Sequence, residues 1–141
     1  MAKEFLDTNI IVYANDAAHA AKQERAIEVV TALMTSGDGV ISTQVLMEYA
    51  AVATRKLGQP QSTVFRQLEL LERFEVVQVT GALIRAGIAH AETFGVSTWD
   101  GTIVAAALAA RCTCLVSEDL TAGRSYGGIV VRNPFEDLAT D

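Results

Sequence analysis

Short apolar runs alternate along this chain with longer stretches in which apolar positions return every three or four residues. Glu4-Phe5-Leu6, Val40-Ile41, Phe74 to Val79, Cys114-Leu115-Val116 and Ile129-Val130-Val131 read as short strands. Asp7-Thr8-Asn9 is a run of cap and turn formers, and Ile10 to Ala14 follows it as a helical turn or two. From His19 to Met34, Ala26, Val29, Val30 and Leu33 recur at helical spacing, and Gly37-Asp38-Gly39 ends the segment. Ser42 can cap a helix reaching Leu57, with Gly58 and Pro60 as stop signals. Thr63 to Arg73 sets Val64, Leu68 and Leu71 on one stripe, and Leu83 to Phe94 is closed by Gly95. Ser97 opens the last helix, through Ile103, Val104, Ala107 and Leu108 to Arg111. Strands that alternate with helices predict βαβ units, hence an α/β fold with a parallel sheet covered on both faces.

Composition narrows this picture. Residues 1–141 fit a single domain, and a domain near this size buries roughly 68–70% of its unfolded surface, enough for a core without staples. With 50% hydrophobic and 20% charged residues the chain has a globular balance rather than a disordered one. No apolar run reaches the roughly 20 residues needed to span a bilayer. Glu4 and Asp7 stand where a secretory signal would want an apolar stretch, so a cytoplasmic protein with no membrane association is expected. Cys112 and Cys114 are too close for an unstrained disulfide and too few for zinc, which leaves them as small buried residues in a reducing compartment. The net charge of −6 argues against a nucleic-acid coat built on a basic surface. It leaves room for an enzyme whose bound cations reverse the sign locally.

In open parallel sheets ligands bind outside the carboxyl ends of the strands, near a topological switch point. Asp7 directly follows the first strand, and Ser117, Glu118 and Asp119 follow the Cys114–Val116 strand. Asp100 lies in the first turn of the helix feeding that strand, and Glu48 about two turns into the helix after the second. Each acid also has a plain explanation. Asp7 could simply cap the next helix, Ser97-Thr98-Trp99-Asp100 fits a capping box, and Asp119 could be a turn residue before Gly123. Glu48 is harder to dismiss, because it shares a helix face with Val45, Tyr49 and Val52, where an unpaired carboxylate is costly. Acids converging without cationic partners would repel one another, and hard divalent cations remove that repulsion. With no histidine cluster, Mg²⁺ or Mn²⁺ is expected rather than zinc; His19 and His90 read as surface or packing residues.

Four blocks then stand out: Phe5-Leu6-Asp7-Thr8-Asn9-Ile10-Ile11-Val12-Tyr13, Ser42-Thr43-Gln44-Val45-Leu46-Met47-Glu48, Ser97 to Ala107, and Leu115-Val116-Ser117-Glu118-Asp119-Leu120. In this order and spacing they resemble the PIN domain, and more narrowly the VapC toxins, the ribonuclease half of bacterial and archaeal toxin–antitoxin pairs. Val131-Arg132-Asn133-Pro134-Phe135 is similar to their closing segment. The resemblance implies a PIN-like three-layer α/β/α sandwich with a five-stranded parallel sheet. It implies four catalytic acids, Asp7, Glu48, Asp100 and Asp119, with Asn9 and Ser117 in support. Gly101 stands where alanine is common, at some cost in helix propensity. Glu118, beside Asp119, competes for the fourth role, and Asp119 is preferred.

The expected chemistry is hydrolysis of RNA phosphodiesters by water, with one or two Mg²⁺ or Mn²⁺ held by Asp7, Asp100 and Asp119. Glu48 completes the metal shell or takes the water's proton; these alternatives stay open. Arg55, Lys56, Arg85, Arg111, Arg124 and Arg132 are candidates for backbone contacts, with Arg124, in the loop after the last acid, singled out for substrate binding. The resemblance also implies a homodimer and a VapB-like antitoxin whose tail blocks the acidic pocket. Two other readings compete. An aspartate phosphatase would want Asp-x-Asp where this chain has Asp7-Thr8-Asn9; a non-catalytic module of the same fold would only bind RNA or protein.

Overall fold

The computed structural model describes residues 2–138. The elements follow one another as β1 (Glu4–Leu6), α1 (Thr8–Ala14), α2 (Ala20–Ser36), β2 (Gly39–Ser42), α3 (Thr43–Arg55) and α4 (Gln61–Leu71). Then come β3 (Glu75–Val77), α5 (Gly81–Phe94), α6 (Thr98–Ala109), β4 (Cys114–Val116), β5 (Ser125–Tyr126) and β6 (Ile129–Arg132). The helices start where a side chain can satisfy an otherwise orphaned N–H. Ser42 Oγ accepts from Val45 N at the head of α3, Thr80 Oγ1 from Leu83 N at α5, and Ser97 Oγ from Asp100 N at α6. Helices α2 and α5 end on Gly37 and Gly95 at positive φ, a conformation an L side chain adopts at a cost.

One sheet runs β3-β2-β1-β4-β6-β5, and every neighbour pair through β6 is parallel. Phe5 stands between Val40 and Leu115, in the middle of the sheet. Successive strand residues point to opposite faces, yet Phe5 and Leu6, Val40 and Ile41, and Leu115 and Val116 are all buried. Both faces are therefore covered, as the three-layer α/β sandwich requires. From β1 the chain builds outward through β2 and β3, then returns to the other side with β4 and β6. The carboxyl ends of β1 and β4 thus flank the topological switch point.

The five parallel strands match the expected sheet, and the structure adds a sixth. The 123–128 segment, read from the sequence as a loop, closes a two-residue antiparallel ribbon of β5 on β6. Gly127 and Gly128, at φ 62° and 97°, form its turn. Two consecutive positive-φ residues are what a tight hairpin needs, and glycine supplies them without steric cost. Strand β3 is shorter than the apolar run from Phe74 to Val79, because Phe74 N bonds back to Leu71 O and Val79 N is taken by Thr43 Oγ1.

Helix α6 is apolar all round, with residues Gly101 to Ala107 buried in sequence. It packs on α5 through two glycines. A Cβ on Gly101 would overlap the Gly87 carbonyl oxygen and lie 2.8 Å from Ala91 N; one on Gly87 would lie 2.7 Å from Thr102 Cα. The sequence reading of Gly101 as a mere loss of helix propensity is corrected here. The backbones approach too closely for any side chain, and this approach sets the height of Asp100, one residue earlier.

Candidate active site

Asp7 is held at the end of β1 by its own backbone, whose N–H donates to Val116 O at 3.0 Å and ties it to the end of β4. The residue is 5% exposed. Oδ1 accepts from Thr8 N at 2.8 Å, so Asp7 does cap α1, while Oδ2 accepts from Ser117 Oγ at 2.8 Å and from Asn9 Nδ2 at 3.3 Å. The plain and functional readings of this residue are compatible. One oxygen serves the helix, and the other faces the groups after β4.

Asn9 joins the two strand ends. Its Nδ2 also reaches Asp119 Oδ2 at 3.1 Å, and its Oδ1 accepts from Glu118 N at 3.1 Å. Ser117 is fully buried, and its Oγ accepts from the N–H groups of Asp119 and Leu120 while donating to Asp7. Glu48 stands on α3, with Oε1 accepting from Thr8 Oγ1 at 2.6 Å. Asp7, Asn9, Glu48, Asp100, Glu118 and Asp119 line one cavity of about 480 Å³.

Acids outnumber cations around this cavity, whose lining includes Lys56 and His19 beside six carboxylates. Among the described residues no lysine, arginine or histidine forms an ion pair with Asp7, Glu48, Asp100 or Asp119. Burial pushes the Asp7 carboxyl up to about 7; the Ser117 and Thr8 hydrogen bonds pull it down, and Asp100 and Asp119 push it further up. Asp100 is also raised by burial, against its bond with Ser97 and together with repulsion from Asp119 and Glu48. Asp7 and Asp100 thus each feel the charge of neighbouring acids.

Glu118 is different. Its Oε1 accepts from Tyr13 OH at 2.9 Å and its Oε2 from Lys22 Nζ at 2.5 Å, so it is already compensated. Of the two neighbouring acids after β4, Asp119 is the one without a cation. Arg124 does not line the cavity: its guanidinium donates to Phe94 O and lies 4.6 Å from the centre of the Tyr126 ring. His90 stacks on Phe94 as a packing residue. His19, read from the sequence as surface or packing, packs edge-on to Tyr13 and also lines the acid cavity, 3.7 Å from Asp16. Lys56, one of the six candidates for backbone contacts, lines it as well, as do Thr8, Tyr13 and Asp16, which were not singled out as site residues from the sequence. Thr8 was the most findable, since it lies between two residues that were.

An all-oxygen donor set with no cationic partner suits a hard divalent cation. Among the described residues no three of these side chains close tightly on one point as they stand. The fit therefore rests on the chemistry of the donors and on their uncompensated charge.

The PIN domain family model matches residues 5–124, most of the chain, and the chain belongs to that family. No curated protein matches it in sequence. Among solved structures, a toxin–antitoxin complex from Klebsiella pneumoniae is similar at a TM-score of 0.70 and 21% identity, over 95% of this chain and 99% of that one. VapBC2 from Rickettsia felis, bound to a DNA fragment from its promoter, is similar at a TM-score of 0.65 and 19% identity, over 92% and 97%. VapC20 of Mycobacterium tuberculosis, a toxin that cleaves the sarcin–ricin loop, is similar at 0.64 and 18% identity, over 80% and 87%. These likenesses establish a shared fold.

Proposed function

We propose that this chain is a divalent-metal-dependent endoribonuclease, the toxin of a VapBC-type toxin–antitoxin pair. The observation that carries the reading is the cavity at the switch point, where Asp7, Glu48, Asp100 and Asp119 stand together without a cationic partner. Asp7, Asp100 and Asp119 would hold one or two Mg²⁺ or Mn²⁺ ions. When bound, such ions make water more acidic and offset negative charge on phosphate oxygens. Asn9 and Ser117 orient Asp7, and Asn9 also holds Asp119. The Thr8 hydroxyl and the Gln44 amide each hold one oxygen of Glu48, which would complete the metal shell or take a proton from the attacking water.

Two of the structural neighbours are toxin–antitoxin assemblies, which supports a VapB-like antitoxin as partner. A basic tail entering the acid cavity would supply the cation that the four acids lack. A homodimer and a cytoplasmic location complete the reading, with residues 1–141 as one nuclease domain. Among the described residues no helix is long and apolar enough to cross a membrane.

Cleavage of structured and single-stranded RNAs by wild type and Asp7→Asn, with Mg²⁺, with Mn²⁺ and with chelator, tests this proposal. Metal-dependent cutting that the substitution abolishes supports it. Equal cutting by both proteins places any activity elsewhere. Metal binding without cutting, in protein freed of antitoxin, favours the non-catalytic module.

A further inference from the structure

The acid cavity extends well beyond the four acids, as a trough between α1 and α3. Both helices start at the carboxyl ends of the parallel neighbours β1 and β2, so they leave the acids side by side. Along α3, Glu48, Val52 and Lys56 all line the trough, at i, i+4 and i+8. Lys56 N donates to Val52 O at 2.8 Å, which keeps Lys56 on the helical path. The helical rise from Glu48 then sets Lys56 about 12 Å further along the axis. On the facing wall Asp7 caps the start of α1, whereas Asp16 and His19 lie past its end at Ala14. Between the two ends the lining includes Val12, Ala51 and Val52, which carry no charge.

The far end differs from the near one in the charge it exposes. Lys56 is exposed, and among the described residues it forms no ion pair. Asp16 is turned inward at 7% exposure; its Oδ1 accepts from Ala18 N at 3.1 Å, and its Oδ2 lies 3.7 Å from His19 Nε2. The His19 side chain is 44% exposed, so this end offers a ligand an ammonium and an imidazole rather than a carboxylate. A ligand that uses the whole trough therefore places one anion at the acids with their cations and another at Lys56, with uncharged walls between. A nucleic-acid strand has this form, because its phosphates repeat along a chain of neutral sugars. The distance exceeds a single phosphodiester link, so the phosphate at Lys56 is not the one being cut.

We propose that Lys56, flanked by His19, is a phosphate subsite that holds the RNA strand two helical turns away from the cut. This rests on the nuclease reading and adds to it what the far end of the site recognises, namely backbone charge. Contacts of this kind set register and affinity without reading bases. Because Lys56 is exposed, its effect is that of a surface ion pair and not of a buried one.

The Asp7→Asn variant, which leaves strands uncut, is titrated in Mg²⁺ against a labelled RNA octamer and read by anisotropy. In that background Lys56→Ala should weaken binding by about fivefold, the upper end for an exposed pair. The slope of log affinity against log salt should become shallower by about 0.7, the contribution of one single-strand phosphate. Lys56→Arg should retain binding. Arg55→Ala removes the same charge one residue earlier, outside the cavity, and should change little. Octamers in which one linkage at a time is an uncharged methylphosphonate then locate the contact. One linkage away from the cut should lose about as much affinity as Lys56→Ala, and nothing further once Lys56 is alanine. His19→Ala should give a smaller loss at the same linkage.

Equal losses for Arg55→Ala and Lys56→Ala would show only general attraction and overturn the proposal. So would a linkage penalty that Lys56→Ala leaves in place, or failure of the octamer to bind. Unchanged octamer binding by Lys56→Ala, with weaker binding of an acidic peptide, would give the lysine to a protein partner and overturn it too. The two readings fail separately. RNA cutting by wild type that Lys56→Ala leaves unchanged in KM sinks the subsite alone, whereas the expected binding pattern without any cutting by wild type sinks the nuclease alone.

Discussion

The Ser117 hydroxyl donates to Asp7 Oδ2 at 2.8 Å, across the gap between the ends of two adjacent parallel strands. The same oxygen accepts from the N–H groups of Asp119 and Leu120, so a single buried atom orients one acid and shapes the turn that carries another. Ser117→Ala leaves two N–H groups and a carboxylate oxygen without this partner. Urea denaturation should show a loss of about 1–3 kcal/mol. RNA cleavage should fall by about 10- to 100-fold, the usual effect of removing a group that supports a metal ligand. Unchanged cleavage would mean that Asn9 alone suffices to position Asp7.

Asp7 makes stability depend on pH when no divalent cation is present. Its carboxyl titrates at about 7 in the folded protein and at 3.8 in the unfolded chain. Between those values the folded state carries the extra proton, so stability falls as pH rises. The contribution is fully present below 3.8 and lost once pH passes about 7, at up to ~1.4 kcal/mol per pH unit across the interval. In chelator, Asp7→Asn should therefore gain on wild type between pH 5 and pH 8. Mg²⁺ should restore wild type at pH 8 and do little for the variant. Denaturation curves whose difference is the same at both pH values would contradict this.

Gly101→Ala tests the helix crossing. Alanine improves helix propensity by about 1 kcal/mol, but its Cβ would overlap the Gly87 carbonyl and crowd Ala91 N. Because the obstacles are backbone atoms, α6 must shift, and overpacking of this kind costs about 1–3 kcal/mol or more. A lower urea midpoint is expected, together with reduced cleavage because Asp100 moves with the helix. A variant more stable than wild type would show that the crossing relaxes freely.

Glu118 and Asp119 should separate cleanly. Glu118→Gln loses a partly exposed pair with Lys22, worth no more than about 1 kcal/mol, and should keep most of the cleavage. Asp119→Asn removes an uncompensated charge from the cavity, and its cleavage should drop by roughly two orders of magnitude. The reverse ranking in a side-by-side assay would exchange their roles.

The sequence carried the fold class and the strand-end acids, because both are written in local spacing. Apolar runs two to six residues long, separated by helical stripes, leave few solutions other than a covered parallel sheet. Residues that follow a strand closely lie at the carboxyl end of the sheet, so Asp7 and Asp119 could be placed before any coordinates. The 123–128 segment was legible only as a loop, and the two-residue strand inside it was not, since Ser125-Tyr126 is too short to show a period.

Tertiary structure decided which of those residues act together. Nothing local distinguishes Glu118 from Asp119; Lys22, 96 residues earlier, does so by pairing with the first. Arg124 sits in the expected loop, yet the carbonyl of Phe94 and the ring of Tyr126 engage its guanidinium. Thr8 becomes a site residue only because α1 packs beside α3 and brings its hydroxyl to Glu48, 40 positions away. Gly101 becomes indispensable only because Gly87 lies against it. Strand and helix periods come from forces between near neighbours in sequence. Charge compensation and backbone clearance come from groups that meet only when distant segments pack.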